Sequence, residues 1–142
     1  MTPVFQQLVT ELDKIINPGT PAVVLLGSAV LAVRGLRDVN DLDVLVSPAT
    51  FAHLVETAEP SDRTDNAMSF QTPAGMIQLA SALAAFGPHF PFVEGDVYLS
   101  AQGFVVMGQH RWVLDLELFV RAKKAFGREK DFDDLMLLEG VS

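Results

Sequence analysis

Leu26-Gly27-Ser28-Ala29 and, separated from Ser28 by twelve residues, Asp41-Leu42-Asp43-Val44-Leu45-Val46 are the two stretches that decide how this chain is read. Ala22 to Leu26 is short, apolar and rich in β-formers, which predicts a buried strand. Gly27-Ser28 punctuates it, Ala29 to Arg34 has room for a short helix, and Gly35 closes that helix. Asp41 to Val46 reads as a second strand. Side chains alternate along a strand, so Asp41 and Asp43 share a face. Two adjacent carboxylates repel, and a hard divalent ion such as Mg²⁺ relieves them through oxygen ligands. A strand-to-helix turn presents backbone N–H groups and a positive helix end to an anion. Glycine there lets a phosphate approach the backbone. The pieces together would hold a metal–triphosphate. Each half alone has an ordinary reading, as a turn or as two acids in an acidic chain. Arg34 and Arg37 could likewise solvate a loop or pair with Asp38. The combination, with strands on both halves, is the more specific signal.

Working outward, Thr2-Pro3 opens a helix whose apolar positions run from Val4 to Ile16 at helical spacing, and Asn17-Pro18-Gly19 stops it. Ser47-Pro48 caps a helix across Phe51, Leu54 and Val55. Pro60 to Asn66 reads as a polar loop. Met68 to Gln71 and Met76 to Ala80 read as two strands joined by Thr72-Pro73-Ala74-Gly75. Residues 81–95 carry no clear period. Val97-Tyr98-Leu99 and Phe104 to Met107 read as strands, with Arg111 to Leu114 extending the last. Asp115 caps a helix that ends at Gly127, and a final helix covers Phe132 to Leu138. The expected architecture is α/β (α+β), a small mixed sheet flanked by helices with a helical C-terminus, in a single domain over 1–142.

Composition sets the outer limits. The 142 residues are 49% hydrophobic, enough for one core, and 18 acidic against 10 basic side chains give a net charge of −8. Such a balance argues against a general nucleic-acid-binding surface. The chain has no cysteine, which excludes disulfides and thiolate chemistry. His53, His89 and His110 lie far apart and form no zinc-binding spacing. No basic leader and no long apolar run is visible, so a soluble cytoplasmic protein is expected, with no membrane partner.

The Gly27-Ser28 turn, Arg34-Gly35-Leu36-Arg37 and the Asp41-Leu42-Asp43 strand resemble the signature of the DNA polymerase β-like nucleotidyltransferase superfamily. Leu118 to Leu135 contains Lys123, then Gly127-Arg128-Glu129-Lys130-Asp131, then Asp134. This run is similar to small bacterial nucleotidyltransferase-like proteins related to abortive-infection and toxin–antitoxin toxins. The resemblance implies that Asp41 and Asp43 bind Mg²⁺ or Mn²⁺ as catalytic carboxylates. It implies that Gly27, Ser28, Arg37, Lys123, Arg128 and Lys130 contact a nucleoside triphosphate. It further implies transfer of a nucleoside monophosphate to an RNA or protein hydroxyl, and an antitoxin protein as a partner.

The superfamily usually supplies a third carboxylate from a later strand. In Gly75-Met76-Ile77-Gln78-Leu79 that place is held by Gln78, which cannot act as a base or add charge to a metal. The alternative is therefore a catalytically inactive nucleotide- or protein-binding module of the same fold. A third reading is a subunit whose site a partner completes. Six of the ten basic residues fall within positions 111–130. Phosphate contact and simple helix-end electrostatics are both open for them.

Overall fold

The computed structural model describes residues 1–139. Helix α1 spans Pro3–Ile15, followed by β1 (Val23–Leu26), the single turn α2 (Ala29–Ala32), β2 (Leu42–Val46) and α3 (Pro48–Thr57). A two-residue β3 (Asp62–Arg63) precedes the hairpin of β4 (Ala67–Thr72) and β5 (Gly75–Ala80). A short 3₁₀ turn over Leu83–Ala85 leads to α4 (Glu94–Ser100), β6 (Gln102–Val106) and β7 (Gln109–Val113). Helices α5 (Leu116–Phe126) and α6 (Glu129–Glu139) complete the described chain.

The strands form one seven-stranded sheet in the order β3-β4-β5-β2-β1-β7-β6. The β1–β7 and β2–β5 pairs are parallel and the others antiparallel, so the sheet is mixed as expected. Strand β2 is central and places Leu42, Val44 and Val46 on one face, where all three are fully buried. Helix α1 covers that face, its Asp13 forming a two-pronged ion pair with Arg111 of β7. Phe5, Leu8, Val9 and Leu12 of α1 supply the buried stripe. Asp43 and Leu45 point to the opposite face, beneath α5. Two expected caps act as such: Ser47 Oγ accepts from Thr50 N–H at 3.1 Å, and Asp115 Oδ2 accepts from Leu118 N–H at 3.2 Å, whereas Thr2 stands at the N-cap of α1 without a side-chain capping bond.

Three local expectations are corrected. Val97-Tyr98-Leu99 is helix, not strand. Glu94 and Asp96 stand in its first turn, and the Asp96 carboxylate accepts the Val93 N–H at 3.0 Å. Arg111 to Leu114 does not extend the preceding strand. A turn at Met107-Gly108, with φ 54° and 77°, sends β7 back against β6. The polar stretch Pro60–Asn66 contributes β3 to the sheet edge.

Candidate functional site

The end of β1, the Gly27-Ser28 turn and the start of β2 meet at one point of the sheet. Register sets Leu26 beside Asp43, so the turn folds directly over the carboxylate. Gly27 has φ 59°, and a Cβ added to it would stand 3.4 Å from Asp43 Oδ2. The positive φ is what favours glycine there, since a Cβ would only reach ordinary contact with the carboxylate.

These residues open onto a cleft of about 230 Å³ between the sheet and helices α5 and α6. Gly27, Ser28, Arg37, Asp43, Lys123, Arg128 and Lys130 all line it, though they come from segments nearly a hundred residues apart. Asp41 does not. It is exposed just ahead of β2, and its Oδ1 accepts the Met76 N–H at 3.3 Å. Gln78 pairs in register with Asp43 on one side and Ser69 on the other, so it shares the Asp43 face. Its side chain lines a neighbouring hollow with Ser69 and Arg63 rather than the cleft itself, and its Nε2 donates to Ala85 C=O at 3.5 Å.

The cations of the cleft are held by two acids of the Leu118–Leu135 run. Asp131 and Asp134, one helical turn apart on α6, are buried. Lys123 Nζ stands 3.1 Å from Asp131 and 3.0 Å from Asp134. Arg128 donates to Asp131 through Nε at 2.7 Å, Nη2 at 3.2 Å and its backbone N–H at 3.1 Å. Arg37 Nη2 donates to Ser28 Oγ at 2.6 Å, and its Nε lies 3.3 Å from Asp134 without an aligned hydrogen bond. A continuous chain of contacts thus runs from the Gly27-Ser28 turn through Arg37, Asp134 and Lys123 to Asp131 and Arg128. Neither Arg34 nor Arg37 pairs with Asp38, whose carboxylate caps the Val4 and Phe5 N–H groups instead. Lys130 lines the cleft in no ion pair among the described residues.

Burial, and then the neighbouring Asp41, push the Asp43 carboxyl up to about 6, against the opposing pull of Lys123. Burial also works to raise Asp131, but the hydrogen bonds from Arg128 and Lys123 outweigh it and hold that carboxyl below the usual range. The cleft therefore has one carboxylate short of positive charge and one saturated with it. A cation placed near Asp43 would relieve the first. Helix α2 is one turn long, so its dipole adds little for an anion. Positive charge in the cleft comes from Arg37, Lys123, Arg128 and Lys130.

No group of three His, Asp or Glu side chains that could hold a metal is present among the described residues. Two carboxylates nonetheless suit Mg²⁺, which commonly takes one or two and completes its shell with water and substrate phosphate. Asp43 fits this role directly; Asp41, outside the cleft lining, is near enough to help raise the Asp43 carboxyl.

The sequence missed a second part of the site. Phe86, Phe90, Phe119 and Phe126 also line the cleft. Phe86 and Phe90 lie in the stretch without a readable period, and Phe126 is the last residue of α5.

No family profile matches the chain, and no curated protein matches it either. Among solved structures, the fold is similar to that of a candidate nucleotidyltransferase from Thermotoga maritima, with a TM-score of 0.62 and 15% identity. The match covers 96% of this chain and 94% of that one. At that identity the likeness establishes the fold, and the chain has a nucleotidyltransferase-like mixed sheet with flanking helices. No helix among the described residues is long and apolar enough to cross a membrane.

Proposed function

We propose that this chain binds a divalent metal–nucleoside triphosphate in the Asp43 cleft and is a nucleotidyltransferase-like protein with weak transfer chemistry of its own. The observation that carries this reading is that the Gly27-Ser28 turn and Asp43 line one cleft with Lys123, Arg128 and Lys130. Asp43 would hold Mg²⁺ or Mn²⁺, with Asp41 turning from the Met76 N–H to join it. Such an ion supplies charge neutralisation at phosphate oxygens. The Gly27-Ser28 backbone would lie along the phosphates, with Arg37 oriented by Ser28 and Asp134. Lys123 is shared between two carboxylates and can turn one contact toward a phosphate while keeping the other.

Gln78 stands in register beside Asp43, where the superfamily pattern supplies a carboxylate. A neutral amide takes no proton from an acceptor hydroxyl, and losing such a group costs about two to four orders of magnitude in rate. This favours the binding module as the second reading. An RNA or protein hydroxyl as acceptor, and an antitoxin as partner, rest on the sequence resemblance.

The test pairs binding with turnover. Calorimetry should show Mn²⁺–ATP binding to the parent and its loss in Asp43→Asn, with the fold retained. Incorporation of labelled nucleotide should be weak in the parent and rise in Gln78→Asp. Unchanged binding in Asp43→Asn sinks the site. Robust parent activity that Asp43→Asn abolishes replaces the weak-transfer reading with that of a full enzyme.

A further inference from the structure

We propose that the nucleobase is received by an aromatic subsite built from Phe86, Phe90 and Phe126, an inference that rests on the metal–nucleotide reading above. A second, open hollow of about 230 Å³, lined also by Gly87, Pro88 and His89, adjoins the polar cleft across Phe86, Phe126 and Arg128. The two spaces share those three side chains, so the phenylalanine-lined hollow lies next to the cleft that Gly27 and Ser28 line.

The chamber has the chemistry of a stacking site. Phe86, Phe90 and Phe126 are only partly buried; Phe86 and Phe126 line both the cleft and the hollow, and Phe90 lines the cleft beside them. Apolar rings exposed inside an otherwise charged cleft gain by being covered. Phe90 packs edge-on against Phe126, centroids 5.0 Å apart at 81°, and against Phe92 at 5.6 Å, which fixes the wall. The Arg128 guanidinium lies 5.1 Å from the Phe126 centroid. Gly87 runs close under the same ring: an added Cβ would meet Phe126 Cζ at 3.4 Å. An anion is a poor occupant. Arg128, the one permanent cation of this hollow, already gives three hydrogen bonds to Asp131. A flat, neutral heterocycle fits the lining better.

Stacking on phenylalanine tolerates any base, because every base has a π-face. The hollow offers one titratable side chain for reading a base edge, His89 at its exposed rim. The subsite therefore takes nucleoside triphosphates as a class.

The test compares ATP, UTP and inorganic tripolyphosphate, each with Mg²⁺, by calorimetry. ATP and UTP should bind about tenfold or more tightly than tripolyphosphate, in line with base–aromatic stacking of about 1–3 kcal/mol. Phe86→Leu and Phe126→Leu should each remove most of that advantage and leave tripolyphosphate affinity in place, while Phe86→Tyr keeps it. A measurement on the unaltered chain stands independently of how the variants fold. Base protons of bound ATP should move upfield in proton NMR, as they do over an aromatic face. Equal affinity for ATP and tripolyphosphate, no upfield shift, or Leu variants that weaken all three ligands alike would overturn the subsite and leave the phosphate site standing. If none of the three ligands binds, the metal–nucleotide reading falls and the subsite with it.

Discussion

Asp43 is the residue on which stability and function pull in opposite directions. Its carboxyl is pushed up to about 6 from 3.8, first by burial and then by Asp41. The folded state therefore holds the proton over a pH range where the unfolded chain has released it. The sign follows directly: ionised Asp43 costs nothing below pH about 4, the cost grows as pH rises toward 6, and it is complete above. Its full size is about 3 kcal/mol from the shift alone, an upper figure for a side chain that keeps some solvent contact. Asp43→Asn, a neutral isostere, should then raise stability by about 1–3 kcal/mol at pH 8, and the gain should vanish by pH 4. Melting curves of parent and variant across that range check it. A difference that does not change with pH would show that Asp43 is better solvated than its position between Gly27 and Leu26 implies. The same proton competes with metal, so Mn²⁺ affinity of the parent should fall about tenfold per pH unit below 6. Gly27 belongs to the same device. With φ 59° and Asp43 in contact, Gly27→Ala should cost about 1 kcal/mol or more, measured by urea denaturation.

At the scale of elements, the α5–α6 pair shows what the sequence could and could not convey. Helix α5 was readable end to end, because Asp115 and Gly127 cap it in the ordinary way. The basic residues of that region were also readable as a cluster. Their partners were harder to see. Asp131 and Asp134 sit early in α6, where acids favour a helix start anyway, so nothing local marked them as turned inward. Only the fold, by laying α6 beside α5, sets both carboxylates on Lys123. Phe132 and Met136 are correspondingly exposed, a reversal of the usual amphipathic order that periodicity alone cannot reveal. The β6–β7 turn escaped notice for a similar reason. Its first residue is Met107 at positive φ, where Asn or Asp would have announced a hairpin. That Asp43 and the Gly27-Ser28 turn meet was legible because strand alternation and a glycine are local signals, whereas Asp41 falls just before β2 and outside the cleft lining. The phenylalanine wall was not, since its rings come from separate segments. The ion cluster yields a prediction of its own. Asp131 has no solvent exposure, yet it is covered mainly by its own partners near the surface, so its worth lies below that of a deep ion pair. Asp131→Ala should cost about 1–3 kcal/mol at pH 7 by urea denaturation. Its carboxyl is held below the usual range, so its contribution is present above pH about 4 and lost as pH falls through the lowered value. Parent and variant should converge in acid, and equal stability at pH 7 would reduce the cluster to a solvated surface pair.

The whole molecule carries its charge unevenly in a way that a list of contacts hides. Ten basic side chains face eighteen acidic ones, and the net charge is −8. Five of the ten cations are engaged in ion pairs among the described residues: Lys14, Arg37, Arg111, Lys123 and Arg128. Only four acids share them, Glu11, Asp13, Asp131 and Asp134, so most carboxylates stand with no paired cation and repel one another across the surface. Salt acts on these two populations differently. The pairs of Asp131, Asp134 and Arg111 are shielded from solvent on at least one side and are screened little. The unpaired surface acids are spread in water, where a Debye length of about 8 Å at 0.15 M ionic strength screens most of their repulsion. Repulsion should therefore fade before attraction does, and the protein should become more stable between 10 and 150 mM NaCl. Lys14–Glu11, the one pair with both partners clearly in contact with solvent, is too weak to reverse the trend. The same field opposes a polyanion. Long single-stranded RNA should bind only weakly at physiological salt, without the steep loss of affinity on adding salt that counterion release produces. Melting temperature and RNA binding measured over one salt series test both consequences together. A melting temperature that falls with salt, or RNA affinity that drops by orders of magnitude over the same range, would show that an unscreened basic surface dominates despite the acidic total.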